Sequence, residues 1–307
     1  MSGAIAGFAT IAAVIALGYL LATVKLVNAD TQVALTRLAF FVALPCLMLT
    51  VLAGTPVSQL LSRFLGATAA GGALAAIPYI LVARLRWRRR ADETVIGAMC
   101  SAYTNAGNLG LPVAAYVLGD AALIAPMLLL HLVVLQPTAL AVLDAGRSGR
   151  VSLRGLARST LTNPLTLATV AGVTLSATGW SLPSYVGNPI ELVAGMGVPS
   201  VLIAYGASLW LGPLPGRGAP PAELALVTGL KLVAQPLGAY LAGWALGLDG
   251  AALLALAVTG ALPSANNIFV LAARFGRGQL LARDATFITT IGTVPTILLI
   301  TAFLSPG

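Results

Sequence analysis

Charge is what this chain has least of. Nine acidic and 17 basic residues are spread over 307 positions, and one histidine and two cysteines are the other reactive side chains. With 8% charged residues, 58% hydrophobic residues and a mean hydropathy of +0.95, no water-facing surface can be assembled, which excludes a soluble domain. There is no HExxH, no GxSxG and no acidic metal-binding pair, so an intramembrane protease or lipid-processing metalloenzyme has no machinery here. No enzyme, cofactor or metal is expected. Cys46 and Cys100 fall inside apolar runs, where a free thiol behaves as a small apolar residue, and they indicate neither a disulfide nor a redox compartment.

What the chain does have is hydrophobic length. A spanning helix needs about 20 mostly apolar residues. That rule predicts an all-α integral membrane protein with ten spans near 5–24, 35–53, 62–83, 95–118, 121–143, 162–180, 190–211, 223–246, 250–273 and 285–304. The longest polar connection, Asp144 to Arg158, is too short for a core of its own. No cleavable leader is expected, because Met1 to Ala9 lacks a basic n-region.

The few charges are sorted by side. Odd-numbered loops hold Lys25 and Arg37, then Arg84, Arg86, Arg88, Arg89 and Arg90, then Arg147, Arg150, Arg154 and Arg158, then Arg217, then Arg274, Arg277 and Arg283. These are 15 of the 17 cations, whereas the even loops carry Asp120, Glu191 and Asp249 with Arg63. The positive-inside rule then places odd loops in the cytoplasm and both termini outside a multi-pass inner (cell) membrane protein. The net charge of +8 is thereby a topological determinant, with no nucleic acid partner, and the Arg84–Arg90 cluster is placed to touch anionic lipid.

Prolines recur in order through the two halves: Pro45 and Pro199 in the second and seventh spans, Pro78 and Pro236 in the third and eighth, Pro112 and Pro263 in the fourth and ninth, Pro137 and Pro295 in the fifth and tenth. The pattern divides the chain into repeat one (1–143), a short basic linker (144–161) and repeat two (162–307). Five spans per repeat is an odd number, so the second copy lies upside down relative to the first.

Two of these spans are broken. Thr104-Asn105-Ala106-Gly107-Asn108-Leu109-Gly110-Leu111-Pro112 and Ala261-Leu262-Pro263-Ser264-Ala265-Asn266-Asn267 set amides, glycines and prolines in the middle of hydrophobic segments. Backbone freed in hydrocarbon is tolerated only where it is buried in protein or lines a cavity. If spans four and nine unwind and cross, two half-helix N-termini, each worth roughly +0.5 of a charge, meet near the midplane and can hold an anion. Asn105, Asn108, Ser264, Asn266 and Asn267, with the turn-makers Gly107, Gly110, Pro112 and Pro263, are the candidate binding residues. The blander reading is that the asparagines only satisfy broken backbone.

The run Asn105 to Pro112 and the run Leu262 to Asn267, extending to Gly276, resemble the paired signature of the auxin efflux carrier family, the bacterial relatives of plant PIN-type carriers. Ala43-Leu44-Pro45, Asn163-Pro164, Gly197-Val198-Pro199 and Gly206-Ala207-Ser208-Leu209 resemble it too, so that the likeness covers essentially the whole chain. The resemblance implies a fold shared with bile-acid sodium symporters. In it, a scaffold of spans 1, 2, 6 and 7 faces a transport bundle of spans 3–5 and 8–10, with the substrate at the crossover of spans four and nine. It also implies a small organic anion as substrate, auxin or a dicarboxylate such as malate or malonate. The short connection after Asp144, where plant exporters carry a large hydrophilic loop, argues against auxin. Membrane lipid is the other expected partner, and a homodimer is left open.

Two ionisable residues lie at membrane depth. Lys231 is about eight residues, or roughly 12 Å, into the eighth span, where it either snorkels or stands in for a coupling cation or an added positive charge. His131, midway along the fifth span, is either a titrating group or a neutral ring bonded between helices. Gln136 and Gln235 suit interhelical hydrogen bonding. No acid falls in the interior of these spans, which removes the usual proton-carrying carboxylate. A sodium-coupled symporter of the bile-acid type and, in another class, a receptor or structural membrane protein are the alternatives. The charge pattern makes a direct prediction: cysteines introduced at Gly149 and Gly278 react with an impermeant thiol reagent from the cytoplasmic side only, and one at Ser181 from outside only.

Overall fold

The structure, a computed structural model, describes residues 2–56, 63–148, 162, 164–211 and 218–304. The predicted linker residues 149–161, with Gly149, Arg150, Arg154 and Arg158, lie outside the described residues, as do Asn163 and Arg217. Among the described residues all regular structure is helical, apart from one isolated antiparallel bridge. In chain order the helices are α1 (Ser2–Thr23), α2 (Ala29–Ala53), α3 (Arg63–Arg86), α4a (Ala91–Ala102) with α4b (a π turn Ala106–Gly110 running into Leu111–Tyr116), α5 (Ala121–Gly146), α6 (Pro164–Thr178), α7 (Ser184–Leu211), α8 (Pro221–Ala245), α9a (Gly250–Gly260) with α9b (Asn266–Phe275), and α10 (Gln279–Leu304). Six of them, α2, α3, α5, α7, α8 and α10, are long and apolar enough to cross a membrane.

Four helices, α2, α4a, α7 and α10, start four or more residues earlier than hydropathy predicts. Asn28 caps α2, its Oδ1 accepting from the Thr31 N–H at 2.9 Å, so that the polar turn Ala29–Gln32 is helical although it is not hydrophobic. Helix α7 starts behind Pro183, and α10 begins at Gln279 after two glycines with positive φ, Gly276 and Gly278. These extensions bring Asp284 into α10, and Asp92 and Glu93 into α4a, beyond the predicted acid-free interiors. Asp92, Glu223 and Asp284 are buried near helix ends. Glu223 at the start of α8 accepts from the Tyr79 hydroxyl at 2.7 Å and from Arg89 at 2.9 Å, Arg277 meets Asp92 at 2.9 Å, and Asp284 pairs with Arg283 at 2.7 Å.

Four of the interior prolines are accommodated by a widened turn. A proline ring collides with the carbonyl four residues earlier, and for Pro45, Pro112, Pro137 and Pro236 that carbonyl lies within a π turn: Ala39–Ala43, Ala106–Gly110, Leu130–Leu135 and Leu230–Ala234.

Helix α1 packs on α7, α2 on α6 and α3 on α8. The first of these contacts is drawn close by glycine. A Cβ at Gly18 would lie 2.2 Å from the Ile203 carbonyl oxygen, and one at Gly206 would lie 2.0 Å from that of Ile15. Backbones thus touch directly, the mode of association available where lipid supplies no hydrophobic drive. Gly206→Leu is expected to cost about 1–3 kcal/mol through overpacking and to lower the unfolding temperature in detergent. Gly229→Ala, with open space around the added methyl, serves as the neutral control.

Candidate functional site

The two predicted breaks meet. Tyr103 leaves α4a in an extended conformation (φ −86°, ψ 105°), and Thr104 pairs antiparallel with Ser264. The Asn105 N–H donates to the Pro263 carbonyl at 2.8 Å, and the Ala265 N–H donates to the Tyr103 carbonyl at 3.1 Å. Asn105 (φ −73°, ψ 58°) then makes an inverse γ-turn closed by the Ala106 N–H on the Thr104 carbonyl at 2.7 Å. Each break therefore satisfies much of the other's freed backbone, and side chains complete the rest. Thr289 Oγ1 accepts from the Ser264 N–H at 3.1 Å, Ser264 Oγ donates to the Cys100 carbonyl at 2.5 Å, and Thr293 Oγ1 donates to the Ala261 carbonyl at 3.0 Å.

The crossing has two faces. On one lie the C-terminal ends of α4a and α9a, whose carbonyls carry partial negative charge. Lys231, 0% exposed, sits there. Its Nζ donates to Thr104 Oγ1 at 2.7 Å, to Gly260 O at 3.4 Å and to Gln235 Oε1, while Gln235 Nε2 donates to Ala102 O at 3.1 Å. The lysine is inside the helix assembly at this point and does not snorkel. On the other face lie the starts of α4b and α9b, bordering a cavity of about 290 Å³.

Of the nine candidate binding residues, Asn105, Gly107, Asn108, Asn266 and Asn267 line this cavity, and His131 joins them from α5. Gly110, Pro112, Pro263 and Ser264 are buried behind it. A Cβ at Gly110 would meet Ile124 at 2.8 Å, and the Ser264 hydroxyl is spent on Cys100. Among the described residues the cavity lining includes no Asp, Glu, Lys or Arg. Sequence reasoning missed Tyr103, whose ring stacks on His131 with centroids 4.2 Å apart and whose hydroxyl donates to Gln136 Oε1 at 3.0 Å. It also missed the apolar wall given by Phe40 of α2 and Leu165 of α6. Tyr103 immediately precedes the first break, which is the one signal that could have marked it. Among the described residues, two buried side-chain nitrogens at the cavity, Asn105 Nδ2 and His131 Nδ1, have no hydrogen-bond partner.

The family model described as "Membrane transport protein" matches residues 4–151 and 144–301. A Rhizobium meliloti (strain 1021) protein named "Putative malonate transporter" is 29% identical over 294 residues, covering 92% of this chain and 89% of its own. An "Uncharacterized transporter" of Methanothermobacter thermautotrophicus (strain Delta H) is 27% identical over 283 residues, covering 90% of each chain.

The division of labour within the crossing is testable by stability. Ser264→Ala leaves a buried carbonyl unpaired and is expected to cost about 1–3 kcal/mol, lowering the unfolding temperature, whereas Asn108→Ala leaves it near the parent value.

Proposed function

The chain belongs to the membrane transport protein family, the auxin efflux carrier family that its two signature runs resemble, and from that premise we propose that it is a secondary carrier of a small carboxylate. It is a membrane transporter and not an enzyme. In the proposed mechanism the anion binds at the crossing of α4 and α9, and the protein works by alternating access in the inner membrane with both termini outside. The observation that carries this reading is the composition of the cavity: among the described residues two half-helix starts and four asparagines line it, without an acidic side chain. Such a site offers N–H donors and partial positive charge, and no carboxylate that would favour a cation over an anion.

The ten-span inverted repeat is supported by which helices touch. Exchanging the first five helices with the last five maps the α1–α7 contact onto α6–α2 and the α3–α8 contact onto itself. Thr36 and Phe40, in the N-terminal half of α2, and Leu165, at the start of α6, border the cavity. With the basic loops inside, its mouth lies on the cytoplasmic side. We assign α1, α2, α6 and α7 to a scaffold and the remaining helices to a moving bundle.

Lys231 takes the place of a coupling cation in this reading. An ammonium is costly to bury unless acceptors surround it, and two side-chain oxygens and a carbonyl do so here. The name of the Rhizobium relative makes malonate the first substrate to try. Uptake of labelled malonate, and of a panel of other carboxylates, into proteoliposomes is expected to follow membrane potential and to ignore sodium. Asn108→Ala and Asn267→Ala should each reduce flux by about tenfold or more, the effect of losing one hydrogen bond to a charged group. Lys231→Ala should lose activity or acquire dependence on added cation. Sodium-driven accumulation by the parent protein would instead favour a symporter of the bile-acid type, and unchanged flux in both asparagine variants would remove the crossing as the binding site.

A further inference from the structure

The antiparallel bridge between the two breaks leaves the outer backbone groups of its central pair pointing away from it, the Thr104 N–H among them. Thr104 and Ser264 form a pair in which the neighbours, Asn105 and Ala265, make the cross-strand bonds, so the Thr104 N–H is directed outward. It donates to His131 Nε2 at 3.5 Å. A ring nitrogen that accepts a hydrogen bond carries a lone pair, and in a neutral imidazole the proton then sits on the other nitrogen. His131 is 2% exposed, and no carboxylate lines the cavity beside it to stabilise an imidazolium. Its ring plane is held by stacking on Tyr103, with an interplanar angle of 20°. Nδ1–H is consequently a donor of fixed direction, buried at the cavity and without a partner among the described residues. Asn105, 3% exposed, has its Nδ2 in the same condition. Buried donors of this kind are rare in native structures unless something else meets them.

We infer that His131 is a substrate-binding residue, a neutral imidazole in the Nδ1–H tautomer whose Nδ1–H and the Asn105 Nδ2–H together hold a carboxylate of the transported anion. The inference rests on the carrier reading and deepens it at one site. A carboxylate presents acceptors only, so it satisfies both donors at once, whereas an ammonium or an alkali cation would satisfy neither. His131 thus has two roles on one ring: Nε2 completes the broken backbone and Nδ1 faces the ligand. The second follows from the first, because the backbone bond decides where the proton resides.

His131 is the sole histidine in the chain, so the ring can be observed in the unmodified protein. With ring-15N histidine incorporated and the protein in lipid bilayers, solid-state NMR is expected to show a protonated Nδ1 and a bare Nε2 before any ligand is added. Malonate carrying 13C in both carboxyl groups should then shift Nδ1 and give a dipolar contact between Nδ1 and a carboxyl carbon. A protonated Nε2 in the ligand-free protein overturns the inference whatever malonate does. Saturable malonate flux with no effect at Nδ1 also overturns it while leaving the carrier intact. Absence of flux and of any Nδ1 response overturns the inference together with malonate as substrate. As a functional check, His131→Leu should raise the half-saturation concentration for malonate by roughly tenfold or more. His131→Gln, which supplies one acceptor and one donor, should restore most of the loss. Equal impairment in both, with the parent tautomer as expected, would place the need for histidine elsewhere than in donation.

Discussion

Backbone satisfaction in a medium without water is the constraint on which this structure turns. Two helices interrupted at the same depth would each expose several N–H and C=O groups to hydrocarbon, at several kcal/mol apiece. Crossing them lets each repair the other: Asn105 donates to Pro263 and Ala265 donates to Tyr103. What the backbone cannot settle between the two breaks, it settles with side chains from α5, α8 and α10, namely His131, Gln235 and Thr289. Three further helices are thereby anchored to one point. The arrangement is polar, buried and chemically specific because the broken helices leave no cheaper way to exist.

Prolines reach the site indirectly. Pro112, Pro137 and Pro236 each lie a few residues past a π turn, and those turns contain Asn108, His131 and Lys231 respectively. A widened turn shifts the register of the helix face by one residue and leaves carbonyls less tightly bonded, which suits a side chain that must leave the regular packing. The proline is then the sequence mark, and the functional candidate sits four to six residues before it.

Much of this was legible in the sequence and some was not. Apolar length gave the helices, and the amide-glycine-proline runs marked the breaks, because in hydrocarbon such runs have few permitted uses. The capped starts of α2 at Asn28 and of α10 after Gly278 were missed, since their first turns are polar and a hydropathy window passes over them. Lys231 was ambiguous because depth along a span does not say which way a side chain faces. Only the approach of Thr104 and Gly260 from other helices makes it interior. Ser264 read as a ligand-facing hydroxyl, but the carbonyl of Cys100, 164 positions away in sequence, takes it. Non-local partners of that kind leave no local trace.

The buried acids at the helix ends have a mechanical meaning. Glu223 with Tyr79 and Arg89, and Asp92 with Arg277, connect α3, α4a, α8 and the segment between α9b and α10, all within the proposed moving bundle. The α1–α7 contact within the proposed scaffold is instead tightened by glycines with nearly bare backbone. Charge pairs resist shear because sliding them apart leaves a buried carboxylate without its partner, a penalty that contacts lacking directional bonds do not carry. In the proposed division stiffness is therefore concentrated inside the bundle, so that a load applied at the crossing reaches α3, α4a and α8 together as a single lever.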